Sequence, residues 1–359
     1  MPFSIKRKKT RQIMVGGVNV GGAAAISVQS MTNTLTQDVT ATVGQINQLE
    51  AAGCEIIRVA VPNEESALAI SAIKKKISIP IIADVHFDYR LAISAAKSGA
   101  DCLRINPGNI GGKEKIKRLI EVAKDLNISI RIGVNSGSLE KDLYKKYGGS
   151  TPKAMVESAI RHIDILKAMD FYSIKVSIKA SDVLRTVEAY ELLSSKTDLP
   201  LHVGVTEAGP LYPGIVKSSL GIGMLLAKGI GDTLRVSLTR DPVEEVRVGY
   251  EILSALNIRK RGPEIIACPT CGRTSINLFK TVEKVEEQLI SKKIPLKIAI
   301  MGCVVNGPGE AREADIGIAG ADGKGILFKK GKVVKKVPEE KLIEVLLEEI
   351  EKYESANDS

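Results

Sequence analysis

The chain has 359 residues, 44% hydrophobic and 26% charged, with a formal net charge of +9; this length favours two domains, and the composition excludes a disordered or fibrous protein. No apolar run is long enough to cross a bilayer, and the N-terminus has the pattern of neither a secretory signal nor an organellar leader, so we expect a cytoplasmic protein with no membrane partner. Aromatic residues make up only 4% and Trp is absent, so we interpret the positive charge as a sign of an anionic small substrate and expect no nucleic acid.

Short β-branched runs alternate with amphipathic stretches from about residue 25 to residue 256. Helix starts are marked at Thr151-Pro152, Asp182 and Asp241-Pro242. Eight strand–helix units predict an α/β fold of the (β/α)8 TIM-barrel class over residues 1–258; a doubly wound sheet is the alternative. The predicted strands are Ile26–Ser30, Glu55–Ala60, Pro80–Val85, Cys102–Asn106, Ser129–Val134, Ser173–Ile178, Leu201–Val205 and Thr233–Leu238, and the predicted helices include Ser66–Lys76, Lys113–Leu126, Pro152–Met169 and Val183–Ser194.

The strand residues fall into two alternating sets, because neighbouring side chains in a strand point to opposite faces. One set is almost wholly aliphatic, for example Ile130, Ile132 and Val134, and should pack against the helices. The other set would line the barrel interior and consists of Ser27, Gln29, Arg58, Asp84, His86, Arg104, Asn106, Arg131, Asn135, Lys175, Lys179, His202, Thr206, Arg235 and Ser237.

This interior is unusually cationic, since a TIM barrel is ordinarily filled by Val, Ile and Leu. Buried charges without partners cost on the order of several kcal/mol each. Asp84 could pair with one or two of the cations but not with all of them, so the pattern predicts a bound diphosphate or a comparably charged anion. Glu207 directly follows the seventh strand and is a candidate acid or ligand-orienting group; the alternative interpretation is a solvated loop residue.

The pattern changes after the basic turn Arg259–Pro263, which predicts a second domain over residues 259–359. A helix at about Ser275–Leu289 and a strand at about Leu296–Ile300 are followed by a short strand, a hairpin over Gly325–Val334 and a terminal helix from about Pro338. These elements predict a small α/β unit.

Three of the five cysteines, Cys268, Cys271 and Cys303, lie in this second domain. Structural zinc needs four Cys or His ligands, and the domain has no histidine. A redox dithiol would not need Cys303. An iron–sulfur cluster on the three thiolates is therefore favoured, which leaves one iron for an oxygen donor, with Glu310 as the nearest candidate, or for a substrate.

The two remaining cysteines, Cys54 and Cys102, fall at the N-terminal ends of predicted strands. An odd number of cysteines in a chain without a secretory signal argues against a disulfide framework. We expect both to be buried apolar thiols.

Ten segments together resemble the 4-hydroxy-3-methylbut-2-en-1-yl diphosphate synthase family (GcpE or IspG). The resemblance covers essentially the whole chain, and the last segment, with the C-x2-C pair before it, is highly specific. The segments are 30–34 (SMTNT), 58–62 (RVAVP), 83–87 (ADVHF), 104–109 (RINPGN), 131–138 (RIGVNSGS), 179–182 (KASD), 205–209 (VTEAG), 231–237 (GDTLRVS), 267–271 (ACPTC) and 302–310 (GCVVNGPGE).

The resemblance implies reductive ring opening and dehydroxylation of 2-C-methyl-D-erythritol 2,4-cyclodiphosphate, with electrons from flavodoxin or ferredoxin. It implies a [4Fe–4S] cluster on Cys268, Cys271, Cys303 and Glu310, with Glu207 as the acid–base residue. It also implies a homodimer in which the cluster domain of one chain caps the barrel of the other. The implied substrate-binding residues are Arg58, Asp84, His86, Arg104, Arg131, Asn135, Lys179, Arg235, Ser237 and Asn306.

Two alternatives stay open from the residues alone. One is a pterin- or phosphate-using TIM-barrel transferase with a zinc appendage, which would contain zinc and no sulfide. The other is a basic RNA-binding protein with a zinc-ribbon-like tail, which would bind RNA with a strong salt dependence.

Overall fold

A short antiparallel hairpin precedes the barrel in the computed structural model of the chain, which describes residues 5–290, 292–304, 311–321 and 323–357. The chain divides into two compact units, Met1–Arg259 and Lys260–Ser359. The hairpin was not predicted, because strands of three residues are too short to show a period. The hairpin belongs to the first unit and consists of β1 (Ile13–Val15) and β2 (Val18–Val20).

Eight parallel strands follow and form the barrel, which confirms the predicted fold class. They pair in the order β8-β7-β6-β5-β4-β3-β10-β9, and a parallel bridge between Val176 and Leu201 joins the two ends. The doubly wound alternative is therefore wrong. The strands are β3 (Ser27–Met31), β4 (Ile56–Ala60), β5 (Ile81–Asp84), β6 (Cys102–Ile105), β7 (Ser129–Asn135), β8 (Ile174–Lys179), β9 (His202–Val203) and β10 (Thr233–Leu234).

Helices connect these strands and surround the barrel. The predicted helix starts are confirmed, because the side chains of Thr151, Asp182 and Asp241 each accept a hydrogen bond from a backbone N–H of the first turn. The helices are α1 (Val39–Ala52), α2 (Glu64–Lys74), α3 (Tyr89–Lys97), α4 (Pro107–Ile110), α5 (Lys113–Asp125), α6 (Lys141–Tyr147), α7 (Pro152–Lys167), α8 (Val183–Ser194), α9 (Leu211–Ala227) and α10 (Pro242–Ala255).

The aliphatic strand set packs between barrel and helices as predicted. Ile130, Ile132 and Val134 are fully buried in one large core cluster with the helices. A separate apolar cluster lies at the N-terminal end of the barrel, where the hairpin residues Val15 and Val20 pack with Ile56, Ile82 and Cys102. The hairpin therefore closes that end, and Cys102 is a buried thiol as expected, as is Cys54.

The second unit is a five-stranded mixed sheet in the order β11-β12-β13-β14-β15. The first three strands are parallel and the last two are antiparallel. β11 was not predicted, since its four residues lie in the stretch that was interpreted as linker and cysteine loop. The elements are β11 (Glu264–Ala267), α11 (Leu278–Leu289), β12 (Lys297–Met301), β13 (Ile316–Ala321), β14 (Lys324–Lys329), β15 (Lys332–Pro338) and α12 (Leu342–Asn357). In the described part of the chain, no helix combines the length and apolar character that spanning a bilayer requires.

Tyr190 on α8 strengthens the junction of β8 and β9. Its buried hydroxyl accepts from Ile178 N–H at 3.1 Å and donates to the carbonyl of His202 at 2.5 Å. Tyr190→Phe should leave both backbone groups without this partner and lower the free energy of unfolding of the barrel by about 1–3 kcal/mol. Urea denaturation measures the change. The control Tyr172→Phe alters a half-exposed ring and should stay within about 0.5 kcal/mol; equal values for the two variants would contradict the role of Tyr190.

Candidate active site

The cationic side chains of the barrel lie at defined heights. Because the strands of a barrel are staggered, residues at one height come from alternate strands. The register places Arg58, Arg104, Ser177 and Arg235 at one height, which we call the arginine level. It lies toward the C-terminal ends of the strands, where TIM-barrel enzymes bind substrates.

Asp84 on β5 is the carboxylate that joins two of these arginines. Its oxygens lie 3.0 Å from Arg104 Nη1, 3.5 Å from Arg58 Nη1 and 3.4 Å from His86 Nε2. Burial alone would raise the pKa of Asp84, but Arg58, the hydrogen bond with His86, and Arg104 together lower it far below its usual range. Asp84 is therefore ionised and neutralises one of the two arginine charges.

Arg131 and Lys179 lie nearby and form no ion pair with a carboxylate of the described residues. Burial, and next the charge of Arg104, lower the pKa of Arg131 to about 10. Its Nε and Nη1 have no hydrogen-bond partner among the described residues. Burial and the cations Arg131 and Arg235 lower the pKa of Lys179 well below its ordinary value. Both cations are therefore poorly compensated by the part of the chain that the structure describes.

Two glycines make room for these long side chains. A Cβ atom at Gly133 would lie 2.5 Å from Arg104 Nε, and one at Gly204 would lie 2.7 Å from Lys179 Nζ. The register puts both glycines at the height directly above the arginine level. The absence of side chains there lets Arg104 and Lys179 extend into the interior.

Arg235 has a carboxylate partner that the sequence interpretation missed. Glu245 on α10 is 4% exposed and lies 3.1 Å from Arg235; it also accepts hydrogen bonds from Ser30 Oγ at 3.2 Å and from Leu238 N–H at 3.0 Å. Asp84, the one acidic residue among the predicted interior strand positions, is therefore joined by a second carboxylate that comes from a helix. Glu245 follows Asp241-Pro242 in the first turn of its helix, where an acidic residue ordinarily complements the helix dipole.

Glu207 lies in the loop after β9 with an unusual backbone. Its φ is +51°, in the left-handed region that costs a residue with a side chain about 1–3 kcal/mol. Its side chain is exposed and forms no hydrogen bond or ion pair within the described ranges. Such a strained position at the C-terminal end of a barrel is typical of a functional residue.

Three further polar residues of the predicted interior lie at or just after the ends of their strands. Asn106 is buried and accepts a hydrogen bond from Gly108 N–H at 3.1 Å. Asn135 is the last residue of β7, and Ser237 follows β10; both are half-buried. The barrel thus brings together all of the predicted substrate residues except Asn306, which lies outside the described residues.

The cysteines of the second unit follow two adjacent parallel strands. Cys268 directly follows β11, and Cys303 lies two residues after β12. The N–H of Gly302 donates to Cys268 Sγ at 3.2 Å, and Cys271 is exposed. Glu310 lies outside the described residues, and within the described part no group of three or more His, Cys, Asp or Glu side chains is placed to hold a metal ion.

This donor set suits an iron–sulfur cluster better than zinc. It offers thiols that follow neighbouring strand ends, and the unit contains no histidine. The N–H to sulfur hydrogen bond is of the kind that tunes cluster thiolates. The residues therefore fit a cluster held by cysteine, although the side chains are not gathered into a closed site.

Comparisons with known proteins match both units. The GcpE TIM-barrel domain model matches residues 10–250, and the GcpE protein C-terminal domain model matches residues 264–352. A protein of Thermodesulfovibrio yellowstonii named 4-hydroxy-3-methylbut-2-en-1-yl diphosphate synthase (flavodoxin) is 60% identical over 97% of this chain and 100% of its own length. A protein of the same name from Lawsonia intracellularis is 60% identical over 96% and 97%.

A solved dihydropteroate synthase from Yersinia pestis is also similar, at 13% identity and a TM-score of 0.49. The similarity covers 68% of this chain and 98% of that one. A likeness this low says nothing about function.

Glu245→Gln should be strongly destabilising, because it leaves the half-buried Arg235 without its carboxylate partner. We expect a loss of about 3 kcal/mol or more in the free energy of unfolding of the barrel, measured by urea denaturation. Glu244→Gln is the matched control one residue earlier on α10. Glu244 is 38% exposed and pairs with Arg247, so its loss should cost about 1 kcal/mol or less. A small effect of Glu245→Gln would show that Arg235 does not need this carboxylate.

Proposed function

The chain belongs to the GcpE family of 4-hydroxy-3-methylbut-2-en-1-yl diphosphate synthases, and on this basis we propose that it reductively opens and dehydroxylates 2-C-methyl-D-erythritol 2,4-cyclodiphosphate. The product is (E)-4-hydroxy-3-methylbut-2-enyl diphosphate, an intermediate of the non-mevalonate isoprenoid pathway. The family match favours neither the zinc-containing transferase nor the RNA-binding protein. We place the reaction in the cytoplasm, a reducing compartment in which cysteines remain thiols.

The excess of positive charge in the barrel is the observation that carries the proposal. Arg131 and Lys179 have no carboxylate partner among the described residues, and Asp84 is shared between Arg58 and Arg104. A cyclic diphosphate supplies the missing negative charge. Each guanidinium group can donate two parallel hydrogen bonds to the oxygens of a phosphate group. We assign diphosphate binding to Arg58, Arg104, Arg131, Lys179 and Arg235, supported by Asp84, His86, Asn135, Ser237 and Asn306.

Glu207 is the proposed acid–base residue. Its exposed carboxylate is not engaged by any of the neighbouring cations in the described structure, so it is available to a ligand. Opening the ring and removing a hydroxyl requires a proton that turns the departing hydroxyl into water. The strained backbone at Glu207 holds the carboxylate at the C-terminal end of the barrel, where the substrate binds.

Transfer of the electrons to the substrate requires a metal cofactor, as it does throughout this family of oxidoreductases. We propose that Cys268, Cys271, Cys303 and Glu310 hold a [4Fe–4S] cluster, which would supply two electrons one at a time. The donor is flavodoxin or ferredoxin; the relatives that are 60% identical carry flavodoxin in their names.

We further propose a homodimer in which the barrel of one chain works with the cysteines of the other. Arg259, the last residue of the first unit, is held at the N-terminal end of the barrel by Glu55 at 2.7 Å and by the carbonyl of Ile26 at 3.1 Å. From Arg259 to Cys268 the chain has nine residues, which span at most about 30 Å when fully extended. The substrate residues lie at the opposite end of the barrel, so a second chain supplies the cysteines more easily than the same chain does.

Glu310→Ala should make the cluster labile, because the three cysteines leave one iron without a protein ligand. We expect reduced iron and sulfide content after anaerobic purification, an altered electron paramagnetic resonance spectrum and very low turnover. Glu313→Ala, an exposed glutamate three residues later, is the matched control and should keep iron content and activity. Full iron content with unchanged turnover in Glu310→Ala would refute the assignment.

Subunit complementation tests the acid–base residue and the shared site together. Glu207→Gln should bind the cyclic diphosphate with nearly unchanged affinity but turn over very slowly, and Cys303→Ser should lack an intact cluster. Each mixed dimer should regain about half of the activity of a wild-type dimer. One of its two barrels then meets an intact cluster from the partner chain, and the other site stays inactive. Mixed dimers that form and stay inactive would place the site within one chain, and normal turnover in Glu207→Gln would remove its proposed role.

A further inference from the structure

The polar interior of the barrel continues below the arginine level, toward the N-terminal ends of the strands. This region is closed beneath by the hairpin residues Val15 and Val20, which are fully buried. The register places Gln29, Ile82, Arg131 and His202 at the first height below the arginine level, and Ile56, Cys102, Lys175 and Thr233 at the second. We call these two heights the deep levels.

The deep levels have an apolar wall and a polar wall. Ile56, Ile82 and Cys102 form the apolar wall and pack with the hairpin. On the polar wall, several side-chain atoms have no hydrogen-bond partner in the part of the chain that the structure describes, although their residues are at most 3% exposed. They belong to Gln29, Arg131, Lys175, His202 and Thr233.

Lys175 is the most unusual member of this wall. It is fully buried, and its Nζ atom has no acceptor among the described residues. Burial lowers the pKa of Lys175 to about 8, so most of the side chain is still charged near neutral pH. The interior carboxylates Asp84 and Glu245 bind arginines of the arginine level and do not pair with Lys175.

The unpartnered groups of the deep levels are mainly donors. Lys175 and Arg131 offer only N–H groups, and the hydroxyl of Thr233 can donate as well. Burial and the neighbouring cations, Lys179 first, lower the pKa of His202 well below its ordinary value, so its imidazole is neutral and has one N–H to donate. Two cations and several further donors thus lie at two adjacent heights, where the described residues leave few unpartnered acceptors, Gln29 Oε1 among them.

We propose that the deep levels bind one small inorganic anion of the halide class, held by Lys175 and by the hydroxyl of Thr233. Arg131, which is assigned to the diphosphate, lies at the height directly above. A halide accepts hydrogen bonds from any direction and tolerates the apolar wall on its other side. It is monovalent, so its burial costs less than that of a phosphate dianion. The proposal goes beyond the reaction proposed above and does not depend on it.

Anomalous scattering from bromide tests the site directly. Crystals of the full-length protein with its cofactor, grown with sodium bromide in place of chloride, should show an anomalous peak at hydrogen-bonding distance from Lys175 Nζ. The same map of Lys175→Met should lack that peak. Bromide confined to the surface or to the arginine level, density for waters alone, or a tetrahedral phosphate beside Lys175 would each overturn the proposal.

Thermal unfolding tests the site in solution, at constant ionic strength, with bromide replacing gluconate. The Tm of the wild type should rise by a few degrees and then saturate, whereas Lys175→Met, which keeps the side-chain volume without the charge, should not respond. Lys179→Met is the matched control, four residues further along β8, and should keep the response. Equal responses in wild type and Lys175→Met would overturn the proposal; if Lys175→Met does not fold, the wild-type bromide map decides.

Discussion

Asp84 carries one negative charge and lies within ion-pair distance of two arginines, 3.0 Å from Arg104 and 3.5 Å from Arg58. Glu245 is the other carboxylate that reaches into the described interior, and it forms an ion pair with Arg235. Arg131, Lys175 and Lys179 have no carboxylate partner within the described ranges. Because buried cations need counterions, this interior is complementary to anionic ligands.

The apolar packing of the described barrel lies mainly in two clusters. The aliphatic strand faces pack against the surrounding helices in one large core, and the hairpin residues Val15 and Val20 close the N-terminal end with a second apolar cluster. At Gly133 and Gly204 the strands carry no side chain where Arg104 and Lys179 need space. The apolar packing therefore lies between the strands and the helices and at the N-terminal end of the barrel, and the polar part of the interior is open to the proposed binding.

In the second unit, the direction of two neighbouring strands determines where two of the cysteines lie. β11 and β12 are parallel, so the loops that follow them begin at the same edge of the sheet. This topology places Cys268 beside the backbone of Gly302, next to Cys303. Two cysteines that are 35 positions apart in the sequence are thereby brought to one edge.

The sequence by itself determined the fold class, the two faces of each strand and the family, because the alternation of side chains and the motifs are local and are read within a few residues. It did not reveal the hairpin or β11, whose three- and four-residue strands show no period. It also missed Glu245, which looks like an ordinary acidic residue at a helix start and reaches Arg235 only because α10 packs against the barrel. The heights of Arg131 and Lys175 depend on how the strands are staggered around the closed barrel. That stagger arises only when all eight strands pair, so tertiary structure alone decided which cations have counterions.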